Sequence, residues 1–182
     1  MARLINPEEL RKFREKLISQ RDAGKTRITL CCGSACNASG SMEVAARIEE
    51  EIQAQGLTGE VEIRKTGCHG FCERGPIIVH HPDEITYLKI KPEDVPEIVS
   101  KAGKGTEMMD RLLYTDPDTK EKIIQESEIP FYKHQKRLVF GSNGSIDPKI
   151  IDDYLAIGGY SAIVKIFSGM TPEAVLDEVK KS

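Results

Sequence analysis

The sequence predicts an α/β protein with a small mixed sheet, because helix-like and strand-like segments alternate along its first part. Val44, Ile48 and Ile52 repeat at helical spacing over about residues 41–55, and Gly56 follows to end that helix. Four short runs are typical of strands: residues 27–30, 61–63, 76–79 and 85–90. With helices also predicted near the start and over residues 94–102, the order is helix, strand, helix, strand, strand, strand, helix.

The first helix has a clear start signal. Asn6 is suited to cap it, Pro7 to occupy its first position, and Glu9 follows three residues after the cap. At the other end of this part, Gly103, Lys104 and Gly105 predict a hinge. The sequence therefore predicts one domain over residues 1–103 and a separate segment over residues 104–182.

Composition narrows the class of protein. With 39% hydrophobic and 30% charged residues the chain can bury a core, and a net charge of −3 gives no reason to expect nucleic acid or an acidic membrane as a partner. No run of about 18 apolar residues is present to span a bilayer, and the charged N-terminus lacks the apolar stretch of a signal peptide. Five cysteines without an export signal indicate reduced thiols or metal ligation, and a cytoplasmic location is predicted.

Four of these cysteines form two close pairs. Cys31 and Cys36 have C-x4-C spacing, Cys68 and Cys72 have C-x3-C spacing, and both pairs are surrounded by glycine. The intervening 31 residues (67 − 37 + 1) leave room for a helix and a strand, so the pairs belong to separate loops of one fold. Soft thiolates brought together in this way are what an iron–sulfur cluster or zinc requires. We interpret the pattern as a [2Fe–2S] site.

Two other interpretations of the cysteines compete with the cluster. Cysteines can be small buried apolar residues, but paired spacing within glycine is not typical of that role. Structural zinc is the stronger rival, although zinc ligand pairs are commonly two residues apart. The glycines favour the cluster, because Gly33, Gly67 and Gly70 would let backbone N–H groups approach bridging sulfides.

Residue chemistry alone leaves one ligand open. Cys32 has the same C-x3-C spacing to Cys36 that Cys68 has to Cys72, so either Cys31 or Cys32 could be the ligand. His69 raises the alternative of mixed Cys/His ligation, but four cysteines are already present, and we expect it to be a supporting or exposed residue. His80 and His81 lie beside a predicted turn and are expected to be exposed.

Residues 106–182 contain no cysteine and are predicted to be mostly helical. A turn is expected at Asp116-Pro117-Asp118, a helix starting at Asp147-Pro148, a break at Gly158-Gly159, and a last helix capped by Thr171. The stretch from Phe131 to Phe140 is basic and aromatic, with its charge at Lys133, His134, Lys136 and Arg137. In an acidic chain such a short patch is more typical of a docking surface than of a nucleic-acid site.

The cysteine pattern resembles that of the thioredoxin-like [2Fe–2S] ferredoxins, through Cys31-Cys32-Gly33-Ser34-Ala35-Cys36 and Gly67-Cys68-His69-Gly70-Phe71-Cys72. The second half resembles the start of the NADH- and FMN-binding flavoprotein subunit of complex I. The matching stretches are Ile129 to Gln135, Asp147 to Tyr154, Gly158-Gly159-Tyr160 and Met170 to Glu173. Together they are similar to the diaphorase subunit of NAD-dependent and electron-bifurcating hydrogenases.

The resemblance implies a specific function and site. It assigns the cluster to Cys31, Cys36, Cys68 and Cys72, which decides against Cys32, and implies one-electron transfer inside a multi-subunit NADH-dependent oxidoreductase. It places FMN, NAD(H) and a [4Fe–4S] cluster downstream of Ser182, and no GxGxxG glycine loop occurs before that point. The chain alone is thus expected not to oxidise NADH, and its end is expected to be a truncation. The alternative function is that of a binding or assembly module that zinc stabilises and that has no redox role.

The same resemblance predicts which residues of the second half need a partner. Tyr154, Tyr160, Ile163 and Phe167 are expected to be buried against the flavoprotein domain that would follow. Other subunits of a redox complex are the predicted partners, with no nucleic acid and no direct membrane insertion.

Overall fold

The computed structural model describes residues 4–21, 25–104 and 107–182, with only the backbone of Lys104. Gly105 of the predicted hinge lies outside the described residues. The chain divides into two compact units, Gly24–Lys149 and Met1–Ala23 with Ile150–Ser182. No helix in the described part of the chain is both long and apolar enough to cross a membrane.

The unit Gly24–Lys149 is built on a four-stranded mixed sheet, as the sequence predicts. Its strands are β1 (Thr26–Cys31), β2 (Val61–Thr66), β3 (Ile77–His81) and β4 (Ile85–Leu88), in the order β2-β1-β3-β4. β1 is parallel to β2 and antiparallel to β3, which in turn is antiparallel to β4. A parallel pair needs a long crossover, and residues 32–60 between β1 and β2 supply it.

Between and after these strands come the helices α2 (Ser34–Ala38), α3 (Ser41–Ala54) and α4 (Val95–Lys104). The predicted helix over residues 41–55 is confirmed as α3, with Val44, Ile48 and Ile52 buried. Gly56 follows α3 with φ +71°, the left-handed conformation that glycine adopts most readily. The predicted helix over residues 94–102 is confirmed as α4.

Strand alternation gives the sheet two different cores. Ile28, Leu30 and Ile78 point to the face covered by α3 and α4, where they join the larger hydrophobic cluster. Cys31 and Ile77, next to them in sequence, point to the opposite face. The smaller core on that face combines sheet residues with residues beyond 107: Cys31, Cys36, Ile77, Leu88, Tyr114, Ile129 and Tyr132.

Residues 107–149 cover this second face. A two-stranded hairpin, β5 (Tyr114–Thr115) and β6 (Lys122–Ile123), contains the predicted turn, in which Asp116 Oδ1 accepts the N–H groups of Asp118 and Thr119. The chain then runs along β4, where Thr86 N–H donates to the Ile124 carbonyl at 2.8 Å. The short helix α5 (Pro130–Lys133) follows.

The other unit is helical. It consists of α1 (Pro7–Arg21), α6 (Ile151–Ala156), α7 (Ser161–Phe167) and α8 (Pro172–Lys181). Both predicted caps are present: Asn6 Oδ1 accepts the Glu9 N–H at 2.9 Å, and Thr171 Oγ1 accepts the Ala174 N–H at 3.2 Å. Arg14 ties α1 to the end of α6 by donating to the Leu155 carbonyl at 2.8 Å.

Three local expectations differ from the structure. The cysteine pairs do not both lie in loops, because Cys31 ends β1 and Cys36 lies in α2. The helix expected to start at Asp147-Pro148 begins only at Ile151. Gly103 belongs to the last turn of α4 and not to a loop.

The prediction that His80 and His81 are exposed is wrong. His80 is 6% exposed, since its pairing with Ile28 and Ile85 places it on the face covered by α3 and α4. His81 is half-buried. Burial lowers the pKa of both imidazoles, because the charged form is disfavoured away from water.

Ile48→Ala should destabilise the unit by about 2–5 kcal/mol, since Ile48 is fully buried between α3 and the sheet and the shorter side chain leaves a cavity. The exposed Gln53 on the same helix supplies the control, and Gln53→Ala should change the free energy of unfolding by about 0.5 kcal/mol or less. Urea unfolding followed by circular dichroism measures both. Equal stabilities of the two variants would contradict the assigned core.

The boundary after residue 103 stays a prediction, and limited trypsin digestion tests it. Cleavage at Lys101 or Lys104 should leave a coloured N-terminal fragment if the predicted cluster is bound there. Residues 107–149 belong to the same compact unit as the sheet, however. A coloured fragment that ends near Lys149 would place the boundary there instead.

Candidate metal centre

The structure brings the two cysteine pairs together at one end of the sheet. Cys36 and Cys31 are hydrogen-bonded through their sulfurs, and the Cys68 and Cys72 sulfurs are 3.9 Å apart. The charges of Cys68 and Cys72 also act on Cys36, so the four thiols share one electrostatic environment. The pairs differ in burial: Cys31 and Cys36 are each 1% exposed, whereas Cys68 is half-buried and Cys72 exposed.

Cys31 and its neighbour Cys32 have different surroundings. Cys31 lies in the smaller core next to Cys36, as β1 alternation requires. Cys32 packs against the larger core, with Ser41 as its hydrogen-bond partner, and burial raises the pKa of its thiol. The surroundings of Cys31 are therefore those that a ligand role would need, and its assignment as a ligand stays a prediction.

Backbone N–H groups point at two of the sulfurs. Those of Gly33 and His69 donate to Cys31, and that of Gly70 donates to Cys68 at 3.3 Å. Gly70 has φ +92°, a conformation that few other residues adopt without strain. Of the three glycines expected to supply such donors, Gly67 does not: its N–H is directed at the Ile146 carbonyl, 3.4 Å away.

Two glycines leave room that a side chain would fill. A Cβ at Gly75 would stand 2.5 Å from the Cys36 sulfur, and a Cβ at Gly33 would stand 3.0 Å from Cys68 Cβ. Both distances are too short for an ordinary carbon contact. The backbone around the sulfurs is thus packed so closely that a side chain at either glycine would force its neighbours to move.

The thiols do not have equal acidity. The hydrogen bond from Cys36 lowers the pKa of Cys31 to about 5, and the N–H groups of His69 and Gly33 contribute in the same direction against the effect of burial. The same hydrogen bond, together with burial, raises the pKa of Cys36. Burial raises the pKa of Cys68 as well. Without metal the Cys31 thiolate is thus favoured, and Cys36 and Cys68 release protons when metal binds.

The donor set fits a [2Fe–2S] cluster, which takes four cysteine thiolates and is tuned by hydrogen bonds to sulfur. The sulfurs are arranged as two neighbouring pairs with N–H donors directed at them. In the part of the chain that the structure describes, no three His, Cys, Asp or Glu side chains converge on a single metal position. We propose Cys31, Cys36, Cys68 and Cys72 as the residues that would hold the two irons.

A family model for thioredoxin-like [2Fe–2S] ferredoxins matches residues 9–103, which is 95 of the 182 residues (103 − 9 + 1). The chain belongs to the thioredoxin-like [2Fe–2S] ferredoxin family. It is thereby identified as containing a [2Fe–2S] electron-transfer domain of α/β fold.

Two relatives by sequence support this membership, and one solved structure is also similar. The chain is 35% identical over 77 residues to a 2Fe-2S ferredoxin of Clostridium pasteurianum, covering 42% of this chain and 76% of that one. It is 43% identical over 79 residues to the 2Fe-2S ferredoxin of Aquifex aeolicus (strain VF5), covering 43% and 71%. The crystal structure of the wild-type thioredoxin-like ferredoxin from Aquifex aeolicus aligns with a TM-score of 0.45 and 36% identity, over 48% of this chain and 94% of that one.

A further relative is the NADP-reducing hydrogenase subunit HndC of Solidesulfovibrio fructosivorans. It is 46% identical over 50 residues, which is 28% of this chain and 10% of HndC. The match is short, so the chain spans a small part of that subunit.

The site also includes a residue that the sequence did not single out, Glu126, which is the partner of His69. His69 is buried, as a supporting residue and not an exposed one, and its Nδ1 lies 2.7 Å from Glu126 Oε1. Burial acts to raise the pKa of Glu126, but the hydrogen bond and charge of His69 outweigh it, so the pKa is lowered. Glu126 is 57 residues from His69, and no local pattern marks it.

The basic and aromatic stretch, residues 131–140, also packs on Phe71, which lies between Cys68 and Cys72. Phe131 stacks on Phe71 with ring centroids 4.4 Å apart, and Tyr132 meets Phe71 edge-on at 5.9 Å. The Arg137 guanidinium lies over the Tyr132 ring, 5.7 Å from its centroid. These aromatic rings thus cover the candidate metal site, whereas in a nucleic-acid site they would stack on bases.

Serine substitutions should distinguish the cysteines that bind the proposed cluster from Cys32, which is predicted not to bind it. Cys72→Ser and Cys31→Ser should each lose most of the iron, because a hard hydroxyl replaces a soft thiolate. Cys32→Ser should keep the iron and a near-normal visible spectrum. Iron and sulfide analysis of anaerobically purified variants is the measurement. Equal iron loss in Cys31→Ser and Cys32→Ser would defeat the assignment.

Proposed function

We propose that Cys31, Cys36, Cys68 and Cys72 hold a [2Fe–2S] cluster that transfers electrons within an NADH-dependent oxidoreductase. The observation that carries the proposal is the meeting of both cysteine pairs at one end of the sheet, in a chain of the [2Fe–2S] ferredoxin family. Such a cluster accepts and returns one electron at a time.

The residues of the chain have distinct parts in this function. The smaller core keeps water from Cys31 and Cys36, and a dry surrounding is one of the factors that set a cluster's potential. The N–H groups of Gly33, His69 and Gly70 stabilise negative charge on sulfur.

The link to nicotinamide chemistry rests on two supports. One is the resemblance of residues 129–173 to the start of an NADH- and FMN-binding subunit. The other is the similarity to HndC, whose name describes a subunit of an NADP-reducing hydrogenase. We infer that the chain operates with other subunits of a cytoplasmic redox complex, and that FMN, NAD(H) and a [4Fe–4S] cluster belong to the region downstream of Ser182.

We further propose that residues 104–182 are a linker and the first segment of the FMN- and NADH-binding domain. Four residues expected to contact the rest of that domain are exposed in the helical unit. They are between 44% and 82% exposed: Tyr154, Tyr160, Ile163 and Phe167. Large apolar side chains at such exposure are available to be covered by further protein.

Electron paramagnetic resonance tests the proposal on the isolated chain. Dithionite should give an S = ½ signal from one cluster, with two irons and two sulfides per chain. NADH should leave the same sample oxidised, because the flavin and nicotinamide sites are proposed to lie downstream. In a longer chain that carries the proposed flavin and nicotinamide sites, NADH should give the signal as well.

Two results would count against parts of this proposal. Stoichiometric zinc with no iron, in a colourless anaerobic preparation, would establish the zinc-stapled module instead. Reduction of the isolated chain by NADH would contradict the placement of the flavin and nicotinamide sites while leaving the cluster intact.

A further inference from the structure

Glu126 lies beyond residues 9–103 matched by the ferredoxin family, yet it reaches into the cysteine site. Its position is fixed by the sheet. Gln125 forms a β-bridge with Ile85, and the Ile124 carbonyl accepts the Thr86 N–H at 2.8 Å. Glu126 therefore begins its short 3-10 turn from a backbone anchored on β4.

The Glu126 carboxylate and a threonine hydroxyl hold the His69 ring from both sides. Glu126 Oε1 lies 2.7 Å from His69 Nδ1, and since the carboxylate accepts, Nδ1 carries the hydrogen. On the other side His69 Nε2 lies 3.1 Å from Thr66 Oγ1, whose hydroxyl donates to the Leu30 carbonyl, also at 3.1 Å. The ring is 1% exposed, so no water replaces either partner at low cost.

The backbone of His69 connects this ring to the cysteines. Its N–H donates to the Cys31 sulfur, and Cys68 precedes it directly in the chain. Because Glu126 and Thr66 hold the ring on both sides, they restrict the movement of the His69 Cα and of the peptide group that carries this N–H. The ring, its two partners and the N–H donor thus form one connected arrangement around two of the four sulfurs.

We propose that Glu126 is a positioning residue which, through His69, orients the N–H donor to Cys31 and thereby sets the reduction potential and retention of the cluster. This inference rests on the proposed function. It assigns a residue of the segment after residue 103 to the ferredoxin site. Removing a residue that hydrogen-bonds to a metal ligand and orients it commonly lowers the metal affinity about 10- to 100-fold.

Paired variants separate the hydrogen bond from the charge. Glu126→Gln removes the negative charge but keeps an oxygen that can accept from Nδ1, whereas Glu126→Ala removes both. Glu128 provides matched controls, because it is an exposed carboxylate two residues away that pairs with Lys133 at 3.0 Å. Glu128→Gln and Glu128→Ala make the same chemical changes outside the site.

The measurements are iron release to a chelator, the S = ½ spectrum and the midpoint potential of the intact 182-residue chain. Glu126→Ala should release iron about 10-fold faster than Glu128→Ala. The midpoint potential of Glu126→Ala should lie below that of Glu126→Gln. Both variants lack the negative charge, but only Glu126→Gln keeps the hydrogen bond that orients the N–H donor. Glu126→Gln should keep a wild-type line shape, which a loss of general stability would not predict.

The outcomes distinguish this inference from the function on which it rests. A wild-type chain that takes up no iron would overturn both. A wild-type chain with two irons, whose Glu126→Ala and Glu128→Ala variants release iron equally fast, would overturn the positioning role alone. If Glu126→Ala does not fold, Glu126→Asp takes its place, since it keeps the charge but is one methylene too short for Nδ1. Wild-type iron release and potential in Glu126→Asp would then overturn the role.

Discussion

The alternation of side chains along β1 is the constraint on which the rest of the site depends. Leu30 and Cys31 are neighbours, so one must face α3 and α4 and the other the opposite side of the sheet. A shift of one residue in register would bury Cys31 in the larger core and turn Leu30 towards the thiols. The apolar packing of Ile28 and Leu30 therefore also determines where the first sulfur lies.

The second face needs its own cover, and this explains the close association of residues 107–149 with the sheet. Ile129 and Tyr132 pack in the same small core as Cys31 and Cys36, and Phe131 stacks on Phe71 beside Cys72. In this way a segment without any cysteine supplies much of the apolar surrounding of a cysteine site. No local pattern in its sequence predicts these contacts with the sheet, because each of them is long-range.

Local patterns predicted most of the fold. The helix around Ile48, the four strands and the caps at Asn6 and Thr171 all depend on residues a few positions apart, which a sequence displays directly. The cysteine pairs were visible for the same reason.

What the sequence could not provide depends on tertiary structure. The burial of His80 follows from its register opposite Ile28, and the partnership of His69 with Glu126 joins residues 57 positions apart. The short helix α2 is flanked by glycine and serine, which by propensity favour a loop. The chain just before it is nevertheless fixed to the sheet, because the Cys32 N–H donates to the Thr66 carbonyl at 2.9 Å. In each case packing decided between conformations that local residues leave open.

The unequal burial of the two cysteine pairs gives the site a direction. With Cys31 and Cys36 enclosed and Cys72 at the surface, the residues that would hold the proposed cluster lie at different depths. Tunnelling rates fall exponentially with distance, so a redox partner would exchange electrons fastest by approaching the loop that carries Cys68 and Cys72. Cys31 and Cys36 would be shielded from oxidants in solution, which would reach the site from the side of the exposed Cys72.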